Sequence, residues 1–326
     1  MKAIRVETHG GPETLRLVDL PIPEPGSGEI RVKQSVAGLN YIDVYVRSGV
    51  YKRETPFVLG REGAGTVEAL GPGVTEFALG DRVAYMETPH LGCYAEHAIV
   101  SVAEAVPVPP GVSDDVACAI MLQGVTAQYL VRSTYPVAPG QTILVHAAAG
   151  GVGLLLTQLA TLAGAHVIAT VGGPAKAELA RGAGAQTVID YSVNDFVDEV
   201  KRFTGGAGVP VAYDSVGRDT WERSLAVLAK RGYLVLYGAS SGPVPPIDPQ
   251  RLAAAGSVYV TRPTLGDYKR TRDELLARTD ELFALVAAGK LSVRIGAVYE
   301  LADAAQAHRD LEARKTTGKV LLRIPA

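Results

Sequence analysis

The stretch from Thr142 to Ala160, TILVHAAAGGVGLLLTQLA, constrains the chain more than any other. A short apolar run ending at His146 reads as a buried strand, and the run from Leu154 is long enough for a helix. Between them stand only small residues, Ala148-x-Gly150-x-x-Gly153, a dinucleotide fingerprint with alanine in the first glycine slot. Missing side chains let backbone approach a pyrophosphate. Gly150 and Gly151 turn without Cβ clashes, and Gly153 lets strand and helix pack closely. The helix start, Val152 included, presents N–H groups and partial positive charge to phosphate.

The same strand-then-helix rhythm repeats from about residue 125: QTILVHA and GVGLLLTQLATLAG, HVIATV and AKAELARGAG, VPVAYDSV and DTWERSLAVLAKRG, YLVLYG and PQRLAAAG, then SVYVTRP. Such alternation predicts an α/β fold, a doubly wound parallel sheet covered on both faces. Residues 1 to about 122 are different, with short β-rich runs such as EIRVKQSVAGLN and GAGTVEALG between Pro-Glu-Pro-Gly and Gly-Pro-Gly turns. After the alternating part come a long helical pattern, DYKRTRDELLARTDELFALVAAGK, and a strand, helix, strand ending in AVYE, LADAAQAHRDLEAR and GKVLLRI. That tail is too short to stand alone. We expect it to return to the first segment, so that 1–124 and 266–326 form one domain and 125–265 a nucleotide domain inserted in it.

A carboxylate about 20 residues beyond the fingerprint normally holds the ribose 2′-hydroxyl of NAD. Here that place reads TVGGPAK, with no acid from Ala169 to Ala177. Gly172 and Gly173 can offer backbone N–H groups and Lys176 a cation to a 2′-phosphate, so NADPH is the expected cofactor. Taken alone, Lys176 also suits a solvated helix surface, and Tyr191 after the next strand suits packing. The 32 basic and 34 acidic residues leave a formal charge of −2, which gives no broad attraction for nucleic acid or anionic lipid. No window reaches the roughly 18 uninterrupted apolar residues of a membrane span, and MKAIRVETHG lacks the apolar core of a signal peptide. Cys93 and Cys118 have no CxxC partner, so a reducing cytoplasm is the expected setting.

Over essentially its whole length the chain resembles the zinc-independent NADPH:quinone oxidoreductases of the medium-chain dehydrogenase/reductase superfamily, the zeta-crystallin-like group. The resemblance rests on the order of β-rich part, AAAGGVG unit and short return, and on GLNYIDVYVRSGVY, YDSVGRDTWERSL and SVYVTRP. It implies a Rossmann-type domain inserted in a GroES-like catalytic domain. Alcohol dehydrogenases of this superfamily hold catalytic zinc with a cysteine and a Gly-His-Glu histidine, and a structural zinc with four close cysteines. Asn40 and Arg61 stand at the matching places. An amide and a guanidinium cannot replace a thiolate and an imidazole around tetrahedral zinc. His90 and Cys93 are spaced as a ligand pair but have no companion pair. We therefore expect no bound metal.

Without a Lewis acid the hydride acceptor must be electrophilic by itself, as a quinone is. On this view NYIDVYVRSGVY faces the substrate. Asn40 hydrogen-bonds ligand oxygen or the nicotinamide side, Tyr45 and Tyr51 line a flat pocket or donate a proton, and Asp43 orients them. Packing aromatics of an apolar pocket would look the same. The resemblance further places Thr126 and Tyr129 near the nicotinamide half, and Gly172, Lys176, Tyr191 and Arg314 near the 2′-phosphate. Val216, Gly238 and Ser240 would lie along the strand ends, with Arg262 and Leu265 facing the cofactor. Arg314 alone reads equally as a cation at a helix end. Relatives pair the SVYVTRP edge across a twofold axis, which implies a homodimer. Two alternatives stay open: a reductase of α,β-unsaturated aldehydes or ketones, and a non-catalytic, NADPH-bound structural or RNA-binding protein. Near-neutral charge and the lack of an aromatic RNP-type motif count against RNA.

Overall fold

The alternating region forms a six-stranded parallel sheet in a computed structural model that describes residues 1–86 and 92–325. Across the sheet the order is Thr187–Asp190, His166–Val171, Thr142–Val145, Val209–Asp214, Leu228–Leu236 and Tyr259–Thr261. By order of appearance this is 3-2-1-4-5-6, the Rossmann-type doubly wound arrangement. Strand order reverses between Thr142–Val145 and Val209–Asp214, and open α/β sheets bind ligands outside the carboxyl ends at such a reversal. Central strands buried on both faces must be nearly all apolar, and HVIATV and VPVAYD are. Leu144, Ile168, Phe196, Ala212, Trp221 and Leu234 belong to the core beneath.

One element differs from its sequence pattern. The run DTWERSLAVLAKRG is helical only over Trp221–Leu225, and Leu228 already belongs to the next strand. Leu228 pairs with Val209 and Tyr233 with Val211. The surplus residues on one strand bulge, and Arg231 takes a left-handed φ of 62° beside Gly232. The strand partner outcompetes the helical pattern there.

The nucleotide unit runs over 126–268, and a second compact unit joins 1–125 to 269–326. In the latter a seven-stranded sheet follows the order Ile295–Glu300, Lys319–Arg323, Glu29–Leu39, Glu62–Leu70, Arg82–Met86 and Ala105–Pro107, with His97–Ser101 also paired to Glu29–Leu39. Lys2–Val6, flanked by Leu15–Asp19 and Phe57–Val58, makes a small sheet of its own. The C-terminal strand closes antiparallel on Glu29–Leu39, with Val320 opposite Leu39. That register carries Lys319 to the end of the strand where Asn40 begins. Among the described residues no helix is long and apolar enough to cross a membrane.

The fingerprint turn shows why small residues are required. Gly150 caps the helix Gly151–Leu162 in an extended conformation. A Cβ on Gly153 would lie 2.4 Å from the Ala147 carbonyl oxygen and 2.8 Å from Ala148 Cα. Gly182, at the end of the helix Pro174–Gly182, has nothing within 4 Å of its Cβ position. Gly153→Ala should therefore cost about 1–3 kcal/mol in urea unfolding, because backbone must shift to admit the methyl group, whereas Gly182→Ala should cost nothing or stabilise slightly.

Candidate active site

Asn40 is where the strand Glu29–Leu39 hands over to the helix Tyr41–Arg47. Asparagine suits a helix N-cap, and the Asn40 N–H donates to Asp43 Oδ2 at 2.9 Å, as in one half of a capping box. The buried Asn40 side chain is held on both of its ends. Its Nδ2 donates to Glu62 Oε1 at 2.6 Å, and its Oδ1 accepts from Lys319 Nζ and Gln123 Nε2, each at 3.1 Å. Glu62 reaches this place because residue 38 is glycine, where a Cβ would lie 2.1 Å from Glu62 Oε1. Lys319 pairs with the same oxygen. The other, Oε2, takes the Leu122 N–H at 2.8 Å. That N–H is thereby withdrawn from the helical ladder, and the helix Asp114–Ala119 continues as a π-helical turn over Ile120–Gly124.

Burial acts on two charges here. It pushes Lys319 down, against the opposing pull of the Asp43 charge, while contact with the Glu62 carboxylate favours the ammonium form. It pushes Asp43 up to about 6, opposed by the Asn40 N–H, the Arg61 charge and the Tyr94 hydroxyl. Asp43 Oδ1 and Gln123 Oε1 are buried and have no hydrogen-bond partner among the described residues.

Behind Asp43 runs a second chain with a fixed direction. Arg47 forms a two-pronged pair with Glu312, at 2.9 Å on each prong, and its Nη1 lies 3.0 Å from His308 Nδ1. A guanidinium only donates, so Nδ1 accepts and the ring proton sits on Nε2. Nε2 faces the Tyr94 hydroxyl at 3.4 Å, and that hydroxyl donates to Asp43 Oδ2 at 3.0 Å. Burial, aided by the Arg47 charge, pushes His308 down to about 3. Histidine is thus a neutral link.

On the helix Tyr41–Arg47 and just beyond it, three tyrosines form a row. Tyr41 and Tyr45, one turn apart, have ring centroids 5.3 Å apart, and Tyr45 and Tyr51 are also 5.3 Å apart. Tyr51, 41% exposed, is fixed through its N–H to the Tyr45 carbonyl at 3.0 Å. Arg314 follows the helix Ala304–Glu312 with a left-handed φ of 58°, and its charge reaches the Tyr41 phenol.

In the nucleotide unit, the first-turn N–H groups of Gly151, Val152 and Gly153 have no intrahelical acceptor, as in any helix, which suits a pyrophosphate. Gly172 and Tyr191 are neighbours, since a Cβ on Gly172 would lie 2.7 Å from the tyrosine hydroxyl. Lys176 sits half-buried in the first turn of Pro174–Gly182. One expectation fails here. The Gly173 N–H donates to Asp190 Oδ1 at 3.0 Å and is not available to a phosphate. Asp190, at the end of the adjacent strand, brings an acid to a turn that lacks one in sequence, and bonds from Ser192 and Gly173 hold its carboxyl below the usual range.

Val216, Gly238 and Ser240 gather at the strand ends. The Val216 N–H donates to Asp214 at 2.8 Å, the Ser240 N–H to the Ser215 carbonyl at 3.1 Å, and a Cβ on Gly238 would lie 2.6 Å from that same oxygen. Thr126 and Tyr129 are buried, the latter stacked on Tyr268 at 4.3 Å. Leu265 is buried and Arg262 exposed. Below the fingerprint, buried His146 is held between Thr170 at 2.8 Å and Ser224 at 2.9 Å, and Ser224 donates to Asp214 at 2.8 Å.

Two family profiles match this chain, "Alcohol dehydrogenase GroES-like domain" over residues 26–110 and "Zinc-binding dehydrogenase" over 151–281. A quinone oxidoreductase of Pseudomonas aeruginosa is 48% identical over 98% of this chain and 99% of its own. The chain belongs to the quinone oxidoreductases of the medium-chain dehydrogenase/reductase superfamily. The Escherichia coli quinone oxidoreductase solved with NADPH superposes with a TM-score of 0.97 at 44% identity, covering 99% of this chain and 100% of that one. A 2-haloacrylate reductase of a Burkholderia species is 39% identical over 97% of each chain.

Zinc does not fit this quinone oxidoreductase at Asn40. The amide oxygen there is already occupied by an ammonium, which would repel a second cation, and Arg61 replaces the histidine. Among the described residues no group of three or more His, Cys, Asp or Glu could hold a metal ion. His90 lies outside the described residues, and Cys93 is a buried free thiol.

The depressed His308 predicts an acid-sensitive fold. Unfolded, this histidine binds a proton near 6.5; folded, only near 3, so its stabilisation is complete above 6.5 and is lost as pH falls toward 3. Asp43 acts with the opposite sign in both parent and variant. Between pH 6.5 and about 4 the parent should lose about 3 kcal/mol more unfolding free energy than His308→Gln, measured by denaturant titration at each pH.

Proposed function

We propose that this chain reduces quinones with NADPH and without a catalytic metal. The observation that carries this reading is the Asn40 carboxamide, fixed by Glu62, Lys319 and Gln123 where zinc enzymes keep a thiolate. The full-length likeness to quinone oxidoreductases supplies the substrate class. When bound, NADPH supplies a hydride from nicotinamide C4. A quinone that accepts it becomes an aromatic hydroquinone anion, so the protein's task is to place the ring and stabilise oxygen. Asn40 donates to that oxygen, Tyr45 and Tyr51 offer a flat aromatic face, and Asp43 holds the helix start that carries them. In the nucleotide unit Gly150, Gly151 and Val152 take the pyrophosphate, and Gly172, Lys176 and Tyr191 the 2′-phosphate. Thr126, Tyr129, Val216, Gly238, Ser240, Arg262 and Leu265 complete the cofactor contacts. The strand Tyr259–Thr261 ends its sheet with Tyr259 52% exposed, which supports twofold pairing into a homodimer, and sedimentation at monomer mass would refute it.

The 2-haloacrylate reductase relative favours a second reading, hydride delivery to a conjugated carbon. Turnover of purified protein with NADPH should be faster on 1,4-naphthoquinones than on a series of enones, and the reverse preference overturns the quinone reading. In the same assay Lys176→Glu should raise the NADPH KM roughly tenfold or more and leave that for NADH within about twofold, because repulsion acts only on the extra phosphate. Equal effects on the two would remove Lys176 from the 2′-phosphate site.

A further inference from the structure

The Asn40 amide has one permitted orientation, and Lys319 decides it. Turning the amide over would set Nδ2 against the Lys319 ammonium and Gln123 Nε2, and Oδ1 against the Glu62 carboxylate. Donor would face donor and acceptor acceptor. In the observed orientation both lone pairs of Oδ1 are taken, one by Lys319 and one by Gln123, and one of the two Nδ2 hydrogens is taken by Glu62. A single N–H is all that this side chain has left to offer.

We propose that Lys319 is a positioning residue of the reaction: with Glu62 it locks the Asn40 carboxamide as a pure hydrogen-bond donor, which selects carbonyl and oxyanion oxygens and disfavours hydroxyl groups that need an acceptor. A quinone oxygen only accepts, and it gains negative charge as hydride arrives. A fixed N–H therefore bonds it more strongly as the reaction proceeds. A mobile amide would pay reorganisation at that moment. Lys319 is 1% exposed and Glu62 fully buried, so the pair is shielded from salt and water. The inference rests on the quinone reading for its turnover effects and stands apart from it for the amide geometry.

Four measurements test it. Lys319→Met should lower kcat roughly tenfold or more, since small misplacements of a positioned group are costly, and leave the NADPH KM within about twofold. Placed on Asn40→Ala, the same substitution should change kcat less than about twofold, because Lys319 acts through Asn40; an undiminished effect there overturns the proposal. Lys319→Met leaves Glu62 as a lone buried charge, so Glu62→Gln/Lys319→Met removes both charges at once. Thermal stability restored with kcat still low supports positioning, and recovery of both shows a merely structural pair. A crystal structure of Lys319→Met reports the amide whether or not quinones are turned over. Asn40 rotated away supports the proposal; Asn40 unmoved with its bonds to Glu62 and Gln123 intact overturns it.

Discussion

The ion pair of Lys319 with Glu62 is the interaction on which the unit of 1–125 and 269–326 turns. Taking both charges out of water is expensive, and such a pair persists only when the remaining donors and acceptors are satisfied. Here they are shared out economically. Glu62 also receives Asn40 and the backbone of Leu122, and Lys319 also donates to Asn40. One carboxylate thereby joins the strand Glu62–Leu70, the handover from strand to helix at Asn40, a π-helical turn and the C-terminal strand. The two partners lie 257 residues apart in the chain.

A second buried chain secures the same helix from its other end. Arg47, 2% exposed, closes the helix Tyr41–Arg47 on Glu312 and His308, and Tyr94 carries the chain back to Asp43 at the helix start. Both ends of a seven-residue helix are thus fixed by side chains from other elements. Short helices draw little stability from their own hydrogen bonds, so this anchoring is what makes the tyrosine row a defined surface. Asp43 serves both ends of the logic, as a cap for Asn40 and as the terminus of the Tyr94 chain.

The nucleotide unit solves a different problem by different means. A dinucleotide needs backbone close at hand, and side chains are removed wherever they would intervene. What polar material remains lies underneath: His146 and Asp214, at the ends of two neighbouring strands, are joined through Ser224 of the helix Trp221–Leu225, and Asp214 also collects the N–H groups of Val216 and Gly217. Those bonds shape the loop at the strand-order reversal without presenting charge to a ligand. Asp190 plays the matching part for Gly173, spending its carboxylate on the turn.

The sequence by itself determined whatever depends on local pattern: the parallel sheet from its alternation, the fingerprint from its glycines, the returning tail from its brevity, and Asn40 and Arg61 from the residues they replace. It could not show that Lys319 and Gln123 meet at Asn40, that His308 and Glu312 back Asp43, or that Asp190 claims the Gly173 N–H. Nothing in GKVLLRI marks its lysine as buried, since a lysine at a strand start is ordinarily solvated. Only the register of the last strand against Glu29–Leu39 brings it inside. Periodicity and turn chemistry are written within a few residues of where they act, whereas hydrogen-bond partners are chosen by strand register across the whole chain, and a one-residue slip would choose others.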